Sequence, residues 1–345
     1  MTVTALDQTR PKSAPELDSL RAEFEALRLR CGAYELNEHA RVAIMGGDRV
    51  RWLNGMVTNN IRDLAAGHGV YAFLLNPQGH IQADLYAYNR GDSLLVDIDK
   101  ALLEKVLQVF DHYIIMDDVE LTNVTDQLTG IGIAGPKAET VLRTLGIALP
   151  QLVPLQFIEL RWRDAVVVVV KGDNPSVESF SLWVEQAQAA SLRGALAEAG
   201  AAPVGRDALE LLRIASGIPR YGQDIRERDL PQETEQNRAL NFNKGCYIGQ
   251  EIVERIRSRG AVRRKFSGFE IEGPLPSPGG KLQLEGKDVG EITSVALLPA
   301  GDGNRALALG YVRREFGAPG QQLSIGDVKA TVSDLPFKSI FDGAS

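Results

Sequence analysis

The pattern of hydrophobic and polar positions predicts an amphipathic helix near the start of the chain. In the segment PELDSLRAEFEALRL, apolar residues recur at spacings of three and four, at Leu17, Leu20, Phe24 and Leu27. Pro15 suits the first turn of such a helix. Residues 1–14 are polar and predict a flexible tail.

The following segments mix strand and helix patterns. VAIMGG, DSLLVDID and AVVVVVKG predict strands, and VYAFLLNPQGHIQADLYAYN predicts a hairpin whose turn is Asn76-Pro77-Gln78-Gly79. LTGIGIAGPKAETVLRTLG predicts a strand and then a helix. Helical patterns occupy DRVRWLNGMVTNNI, KALLEKVLQVFDHYIIM, SLWVEQAQAASLRGALAEAG and PVGRDALELLRIASG. This mixture predicts an α+β region over residues 15–260.

The pattern changes near Gly260. Short β-like runs follow, with Pro and Gly between them: KFSGFEIEG, KLQLEG, VGEITSVALL, RALALGYV and LSIGDVKATV. Strands of this length and spacing predict a small sandwich or barrel as a separate carboxy-terminal domain, residues 261–345.

Composition narrows the class of protein. The 345 residues are 44% hydrophobic and carry a net charge of −7, which argues against a protein that coats nucleic acid or an anionic membrane. No run approaches the ~18 apolar residues of a membrane span. Two distant cysteines argue against a disulfide scaffold. We therefore expect a cytoplasmic protein.

Dinucleotide and metal motifs receive little support. GIGIAG, from Gly130 to Gly135, matches G-x-G-x-x-G, but its glycines alternate with isoleucines and no acid follows at a spacing of about 20 residues. The sequence lacks C-x-x-C and H-E-x-x-H, and its four histidines are scattered. Two cysteines do not supply the four thiolates of a usual iron–sulfur cluster. We predict no metal site.

The segment NFNKGCYIGQE places Cys246 between two glycines and shortly before a helical pattern, QEIVERIR. A helix amino terminus and the nearby Lys244 would both favour a thiolate, which makes a reactive cysteine one interpretation. A small buried residue in a tight turn is the other. The next segment, ERIRSRGAVRRK, is a local basic run suited either to carboxylates and phosphates or simply to solvent.

KGCYIGQE resembles the K-G-C-[aromatic]-x-G-Q-E signature of the YgfZ-type folate-binding proteins. These are iron–sulfur cluster assembly relatives of the glycine-cleavage T-protein, an aminomethyltransferase. RWLNGMVTNNI, LLNPQGHIQADL and RIASGIPRYGQDI fit further family segments in the same order. The resemblance covers nearly the whole chain. It implies a ring of mixed α/β subdomains around a folate channel, followed by a small β-barrel.

The resemblance also assigns roles residue by residue. It implies functional roles for Cys246 and Lys244 in the signature and for Asp84, which matches an acid near the folate. The residues that it places around the cofactor are Asn54, Thr58, Asn59, Gly245, Tyr247, Gln250 and Glu251. The basic run, with Arg255 and Arg257, would receive the glutamate tail of tetrahydrofolate. Trp52 or Phe73 would stack on the pterin unless they belong to the core.

Two main functions remain open at this point. The first is a tetrahydrofolate-binding protein that supports assembly or repair of iron–sulfur clusters in client enzymes, with Cys246 as its reactive thiol. Its partners would be folate and iron–sulfur client or assembly proteins. The second is a folate-dependent aminomethyl transferase or demethylase centred on Asp84. T-protein relatives lack the cysteine, which argues against a standard glycine-cleavage enzyme. An RNA-contacting scaffold is a third reading, which the acidic net charge disfavours.

Overall fold

The computed structural model describes residues 13–260, 262–300 and 303–342. Most of the predicted tail lies outside these residues; within it, Ser13 caps the first helix and Ala14 begins it. The α-helices of the described chain are α1 (Ala14–Leu29), α2 (Arg49–Met56), α3 (Leu103–His112), α4 (Ala138–Thr144), α5 (Ala189–Glu198), α6 (Arg206–Ala215), α7 (Gln250–Arg259) and α8 (Lys338–Phe341). Short 3₁₀ helices cover Lys100–Leu102, Gln186–Gln188, Pro231–Thr234, Asn237–Ala239 and Arg314–Phe316.

The strands fall into three groups. Those of the first region are β1 (Gly32–Glu35), β2 (His39–Met45), β3 (His68–Leu75), β4 (Ile81–Asn89), β5 (Leu94–Asp99), β6 (Glu120–Asn123), β7 (Leu128–Ala134), β8 (Phe157–Trp162), β9 (Ala165–Lys171), β10 (Ser179–Glu185) and β11 (Ala202–Pro203). Those of the last region are β12 (Arg264–Glu272), β13 (Lys281–Leu284), β14 (Lys287–Ala300), β15 (Gly303–Arg313), β16 (Gln322–Ile325) and β17 (Val328–Ser333).

One antiparallel sheet and one mixed sheet build the region before α7. One has the order β3-β4-β5-β2-β6 and buries one face under α2 and α3. The other has the order β11-β1-β7-β10-β9-β8 and buries one face under α4 and α5. The two sheets meet through their remaining faces at Tyr88, Phe157 and Trp183. A space for a ligand therefore lies where the two sheets converge.

The last six strands close into a barrel with the order β12-β15-β14-β13-β16-β17. Its interior is apolar, with Phe269, Ile292 and Val312 fully buried. A mixed α/β region followed by a closed barrel confirms the predicted fold class. The boundary predicted near Gly260 falls between α7 and β12.

Several predicted elements differ from the structure. The first five residues of the predicted helix SLWVEQAQAASLRGALAEAG belong to strand β10, because Leu182 and Val184 alternate into the sheet core. Helix α2 ends at Met56, where Val57 turns to extended backbone. Helix α3 ends at His112, so that IIM lies outside it. The predicted hairpin turn and the glycine before α7 are both confirmed.

The GIGIAG segment lies within β7 and its end, in a mostly antiparallel sheet. A Cβ on Gly132 would lie 2.2 Å from the Tyr34 ring, so this glycine allows close packing of an aromatic side chain. The motif is thus structural, as its alternation with isoleucines indicated.

Candidate functional site

A cavity of about 680 Å³ lies where the two sheets converge. Tyr86 and Tyr88 of β4 and Trp183 of β10 are among the residues that line it. The Tyr88 and Trp183 rings meet edge to face, with centroids 5.0 Å apart. Its volume is within the ~300–1,000 Å³ range of small-molecule sites, and its aromatic walls suit a flat ring.

A charged cluster forms another part of the cavity wall. Asp97 of β5 accepts a hydrogen bond from His39 Nδ1 at 2.5 Å and pairs with Arg41 Nε at 3.1 Å. Burial opposes the charge of Asp97, but His39 and Arg41 hold the pKa of this carboxyl below its usual range. Burial also disfavours the charged imidazole, yet Asp97 raises the pKa of His39. The cluster is therefore an ion pair at the edge of the cavity.

Asp84 lies two residues before Tyr86 on β4, so it points to the same face of the sheet as that cavity-lining ring. It is partly buried, and its Oδ2 accepts a hydrogen bond from the Tyr71 hydroxyl at 2.8 Å. Burial raises the pKa of the Asp84 carboxyl. A carboxyl held in this way is suited to accept or donate a proton nearer to neutral pH than an exposed aspartate.

Arg238 connects Asp84 to the cavity. Its guanidinium lies over the Tyr71 ring, 4.4 Å from the centroid, and it forms an ion pair with Asp173. Asp173 lines the cavity and accepts a hydrogen bond from the Tyr86 hydroxyl at 3.3 Å. Tyr71 is thus held between the Asp84 carboxylate and the Arg238 guanidinium. Tyr86 contacts Asp173, the ion-pair partner of Arg238.

Lys244 is buried beneath the signature loop. Its Nζ donates to the carbonyl oxygens of Asn54 and Val57 at 2.5 Å and of Asn59 at 2.7 Å. Burial, with Arg62 nearby, lowers the pKa of Lys244 to about 7, whereas three carbonyl acceptors favour the ammonium form with three donors. The lysine therefore fastens the signature loop to the segment that follows α2.

The predicted residues of that segment bond to backbone groups. Asn54 Oδ1 accepts from the amides of residues 61 and 62, and Thr58 Oγ1 donates to the Ala239 carbonyl at 2.6 Å. Asn59 Nδ2 donates to the carbonyls of Tyr71 and Arg238, each at 2.8 Å. Thr58 and Asn59 thus hold their segment against β3, the strand that carries Tyr71. Their contact with a cofactor stays a prediction.

Cys246 is exposed, which contradicts the interpretation of a small buried residue. Arg62 Nη2 lies 3.6 Å from the position that a Cβ on Gly245 would occupy, so a cation lies close to the cysteine's neighbour. Tyr247 is buried, and Lys244 Nζ lies 4.9 Å from its ring centroid. The loop thus presents the thiol while its two flanking side chains point inward.

Helix α7 carries the remaining predicted residues. Gln250 begins the helix, and Glu251 and Arg255 are exposed. Arg257 lies over the Phe242 ring at 4.4 Å. The basic run does not form one continuous patch, because Arg264 is held in ion pairs with Asp229 and Glu233. Capture of a glutamate tail by Arg255 and Arg257 stays a prediction.

The aromatic residues first considered for stacking lie in the core. Trp52 packs edge-on against Phe110, and Phe73 is fully buried. Sequence reasoning missed Trp183 and the charged cluster of the cavity wall. Asp97 had a visible signal, because it is a charged residue in the middle of the apolar strand pattern LLVDID. Trp183 gives no such signal, because its segment SLWVEQAQAASLRGALAEAG has the pattern of a helix.

Two family models together span most of the chain. The GCVT N-terminal domain matches residues 8–244, and the glycine cleavage T-protein C-terminal barrel domain matches residues 264–338. The chain belongs to the glycine cleavage T-protein family. This family uses tetrahydrofolate as substrate or cofactor, in agreement with the cofactor expected from the sequence.

Relatives within this family cover nearly the same length. An aminomethyltransferase of Rubrobacter xylanophilus is 31% identical, over 92% of this chain and 86% of that protein. A putative chloroplastic transferase of Arabidopsis thaliana is 26% identical, over 88% of this chain and 70% of that protein. The crystal structure of the glycine cleavage system aminomethyltransferase T from Bartonella henselae shares the fold, with a TM-score of 0.83 at 20% identity over 93% of this chain and 90% of that chain.

The residues around the cavity fit the family's cofactor. Tyr86, Tyr88 and Trp183 offer apolar ring surfaces to a pterin. Arg220 also lines the wall, where it pairs with Glu210 at 2.8 Å. No cluster of three or more metal-ligating side chains occurs among the described residues. None of the helices within the described ranges is long and apolar enough to cross a membrane.

Proposed function

We propose that this chain binds tetrahydrofolate in the central cavity and supports assembly or repair of iron–sulfur clusters in client enzymes, with Cys246 as its reactive thiol. The observation that carries the proposal is the exposed Cys246 on a loop that Lys244 fastens to the segment after α2. A thiol that only filled space would be covered by neighbouring side chains.

The folate half rests on the cavity between the two sheets. A pterin ring would pack against Tyr88 and Trp183. Asp84 would lie on the same face of β4 as Tyr86, which lines the cavity. Because the ordered walls are already in place, binding would cost little rearrangement.

The thiol half rests on the surroundings of Cys246. The loop stands just before the amino terminus of α7, and Arg62 lies against the backbone of Gly245. An exposed thiol in this position is open to reagents and to partner proteins. The other cysteine provides a built-in contrast, since burial raises the pKa of Cys31 to about 11.

Calorimetric titration of the purified protein with tetrahydrofolate tests the folate half. We expect Trp183→Phe to weaken binding at least tenfold, because the indole forms one wall of the cavity. Trp162→Phe, in the core on the other face of the same sheet, is the matched control and should bind as the wild type does. Absence of binding by the wild-type protein would refute this half.

A strain that lacks the protein tests the thiol half. Complementation with Cys246→Ser should leave the activity of iron–sulfur client enzymes low, whereas Cys31→Ser should restore it. Alkylation of the exposed Cys246 should also be faster than alkylation of the buried Cys31, and slower with tetrahydrofolate bound. Full client activity with Cys246→Ser would contradict a functional thiol.

A folate-dependent aminomethyl transferase or demethylase is the second candidate. The partly buried Asp84, with its raised pKa and its Tyr71 hydrogen bond, favours it. So does the similarity to the Rubrobacter xylanophilus aminomethyltransferase. Turnover of an aminomethyl or methylamine donor that Asp84→Asn abolishes and Cys246→Ser leaves unchanged would establish the transferase instead.

A further inference from the structure

A second cavity, of about 480 Å³, lies between the end of α6, the segment of residues 235–238 and one edge of the barrel. Asp173 and Ile218 line both this cavity and the central one. Arg238 also lines it and pairs with Asp173. The two cavities therefore share one isoleucine and one ion-paired carboxylate in their linings.

The charges around the second cavity are unevenly paired. Asp173 is neutralised by Arg238, and Glu235 is held by Arg314 at 2.7 Å. The other two charged side chains of its lining, Lys265 and Asp334, form no ion pair or hydrogen bond with any residue that the structure describes. The half-buried Lys265 and the exposed Asp334 are thus a cation and an anion on the lining of the same cavity, each without a partner among the described residues.

These two side chains come from neighbouring strands of the barrel. Gly268 of β12 pairs with Ser333 of β17, so Asp334 follows at the level of Ser267, two residues from Lys265. Ser267 also lines the cavity; it is 5% exposed, and its Oγ has no hydrogen-bond partner in the described chain. A buried hydroxyl without a partner is unusual and marks a place where a ligand group adds a missing contact.

We propose that the second cavity binds a small zwitterion of the amino-acid class, with its carboxylate on Lys265 and its ammonium group on Asp334. A ligand with only one charge would leave the other side chain unpaired, whereas a zwitterion satisfies both. The site therefore selects for the combination of the two groups.

The position of the site suggests the use of the ligand, and this step rests on the proposed folate function. The second cavity shares Asp173 and Ile218 with the lining of the central cavity, so a zwitterion bound there would lie next to a bound folate. It would be placed as a second substrate beside a bound folate. Binding in the second cavity does not itself require folate.

Ligand-observed NMR on the full chain tests the proposal with defined probes. Glycine, β-alanine and 4-aminobutyrate separate the two charged groups by one, two and three carbons, and acetate and methylamine carry one group each. At least one zwitterion should bind ten times more tightly than either acetate or methylamine. Equal affinities for all five probes would overturn the proposal.

Matched variants locate the site. Lys265→Gln should abolish the preference of the zwitterion over methylamine, and Asp334→Asn its preference over acetate. Lys287→Gln and Asp327→Asn change exposed charges elsewhere on the barrel and should bind as the wild type does. If Lys265→Gln and Asp334→Asn melt at the wild-type temperature and still bind the zwitterion with unchanged affinity, the proposal is wrong.

Two further experiments separate failure of the zwitterion site from failure of the proposed folate function. The charge-exchanged double variant Lys265→Asp/Asp334→Lys should regain zwitterion binding, because the ligand reverses its direction; failure to regain it in a folded protein would count against the site. The titrations are repeated with tetrahydrofolate. Zwitterion binding by a protein that does not bind tetrahydrofolate would refute the proposed folate function and leave the second site standing.

Discussion

At the scale of single residues, two carboxylates near the central cavity have opposite tendencies. Burial raises the pKa of Asp84, whereas His39 and Arg41 hold the pKa of Asp97 low despite its burial. Neighbouring acids whose environments push their pKa values apart are a common arrangement where one group exchanges protons and the other stays charged. Asp84 is therefore the proton-exchanging candidate, and Asp97 is the fixed negative charge.

Tyr71→Phe tests the control of Asp84. The Tyr71 hydroxyl stabilises the charged carboxylate, so its removal should raise the pKa of Asp84 further, with burial left unopposed at that oxygen. A ¹³C NMR titration of labelled aspartate side chains measures this change. Tyr113→Phe, whose hydroxyl has no hydrogen bond with a described residue, is the control. An unchanged or lower pKa in Tyr71→Phe would show that the hydrogen bond is absent in solution.

His39→Asn tests the ion pair at the cavity wall. The pKa of His39 is raised in the folded protein by Asp97, against opposing effects of burial and Arg41 and with a smaller contribution from Asp99. The protonated histidine therefore stabilises the fold fully below ~6.5, its unfolded value, and this stability is lost as pH rises through the folded pKa.

Urea unfolding of wild type and His39→Asn at pH 5.5 and pH 9 measures this effect. At pH 5.5 we expect the wild type to be more stable than His39→Asn by about 1 kcal/mol, a modest value because the histidine is partly exposed. At pH 9 this difference between the two proteins should be smaller. A difference that grows with pH would contradict the assignment.

At the scale of elements, the sequence pattern predicts helices and strands well where one face of the element is buried. The barrel strands and the hairpin follow alternation and turn residues, which are local signals. The sequence pattern predicts a helix over part of strand β10. Leu182 and Val184 lie in a strand because they pack into the core of the sheet, and this packing outweighs local propensity. The cavity wall was missed for the same reason: His39 and Asp97 are 58 residues apart and meet only in the folded sheet.

Gly249→Ala tests the packing of α7 against the predicted hairpin turn. Gly249 has φ +80°, and a Cβ there would lie 2.6 Å from the Asn76 carbonyl oxygen. Gly91 also has a positive φ, +94°, but open space around it, so Gly91→Ala shares the backbone strain of roughly 1 kcal/mol and lacks the clash. In urea unfolding, Gly249→Ala should cost more stability than Gly91→Ala, by about 1–3 kcal/mol. Equal costs would mean that the turn and the helix separate easily.

At the scale of the whole molecule, the barrel is joined to the preceding region by a continuous core and a buried polar network. The core combines α1, α6 and α8 with strands β12, β14 and β15. In the network, Arg213 of α6 donates to Asp224 at 2.7 Å and to Ser294 of β14 at 2.9 Å. Asp224 is fully buried and also accepts from Thr293 and Ser294. Such contacts predict that the two regions unfold together.

Asp224→Ala tests this coupling. Removal of the carboxylate leaves part of the Arg213 charge and the two hydroxyls without their acceptor, so we expect a loss of about 3–5 kcal/mol in the free energy of unfolding. Calorimetry of the wild type should show one transition, whereas Asp224→Ala should melt lower and separate into two, since the apolar contacts alone join the regions less specifically. Asp327→Ala, in an exposed turn of the barrel, should stay within ~0.5 kcal/mol of wild type. Two separate transitions in the wild type would show that the barrel is stable by itself and that the network only orients it.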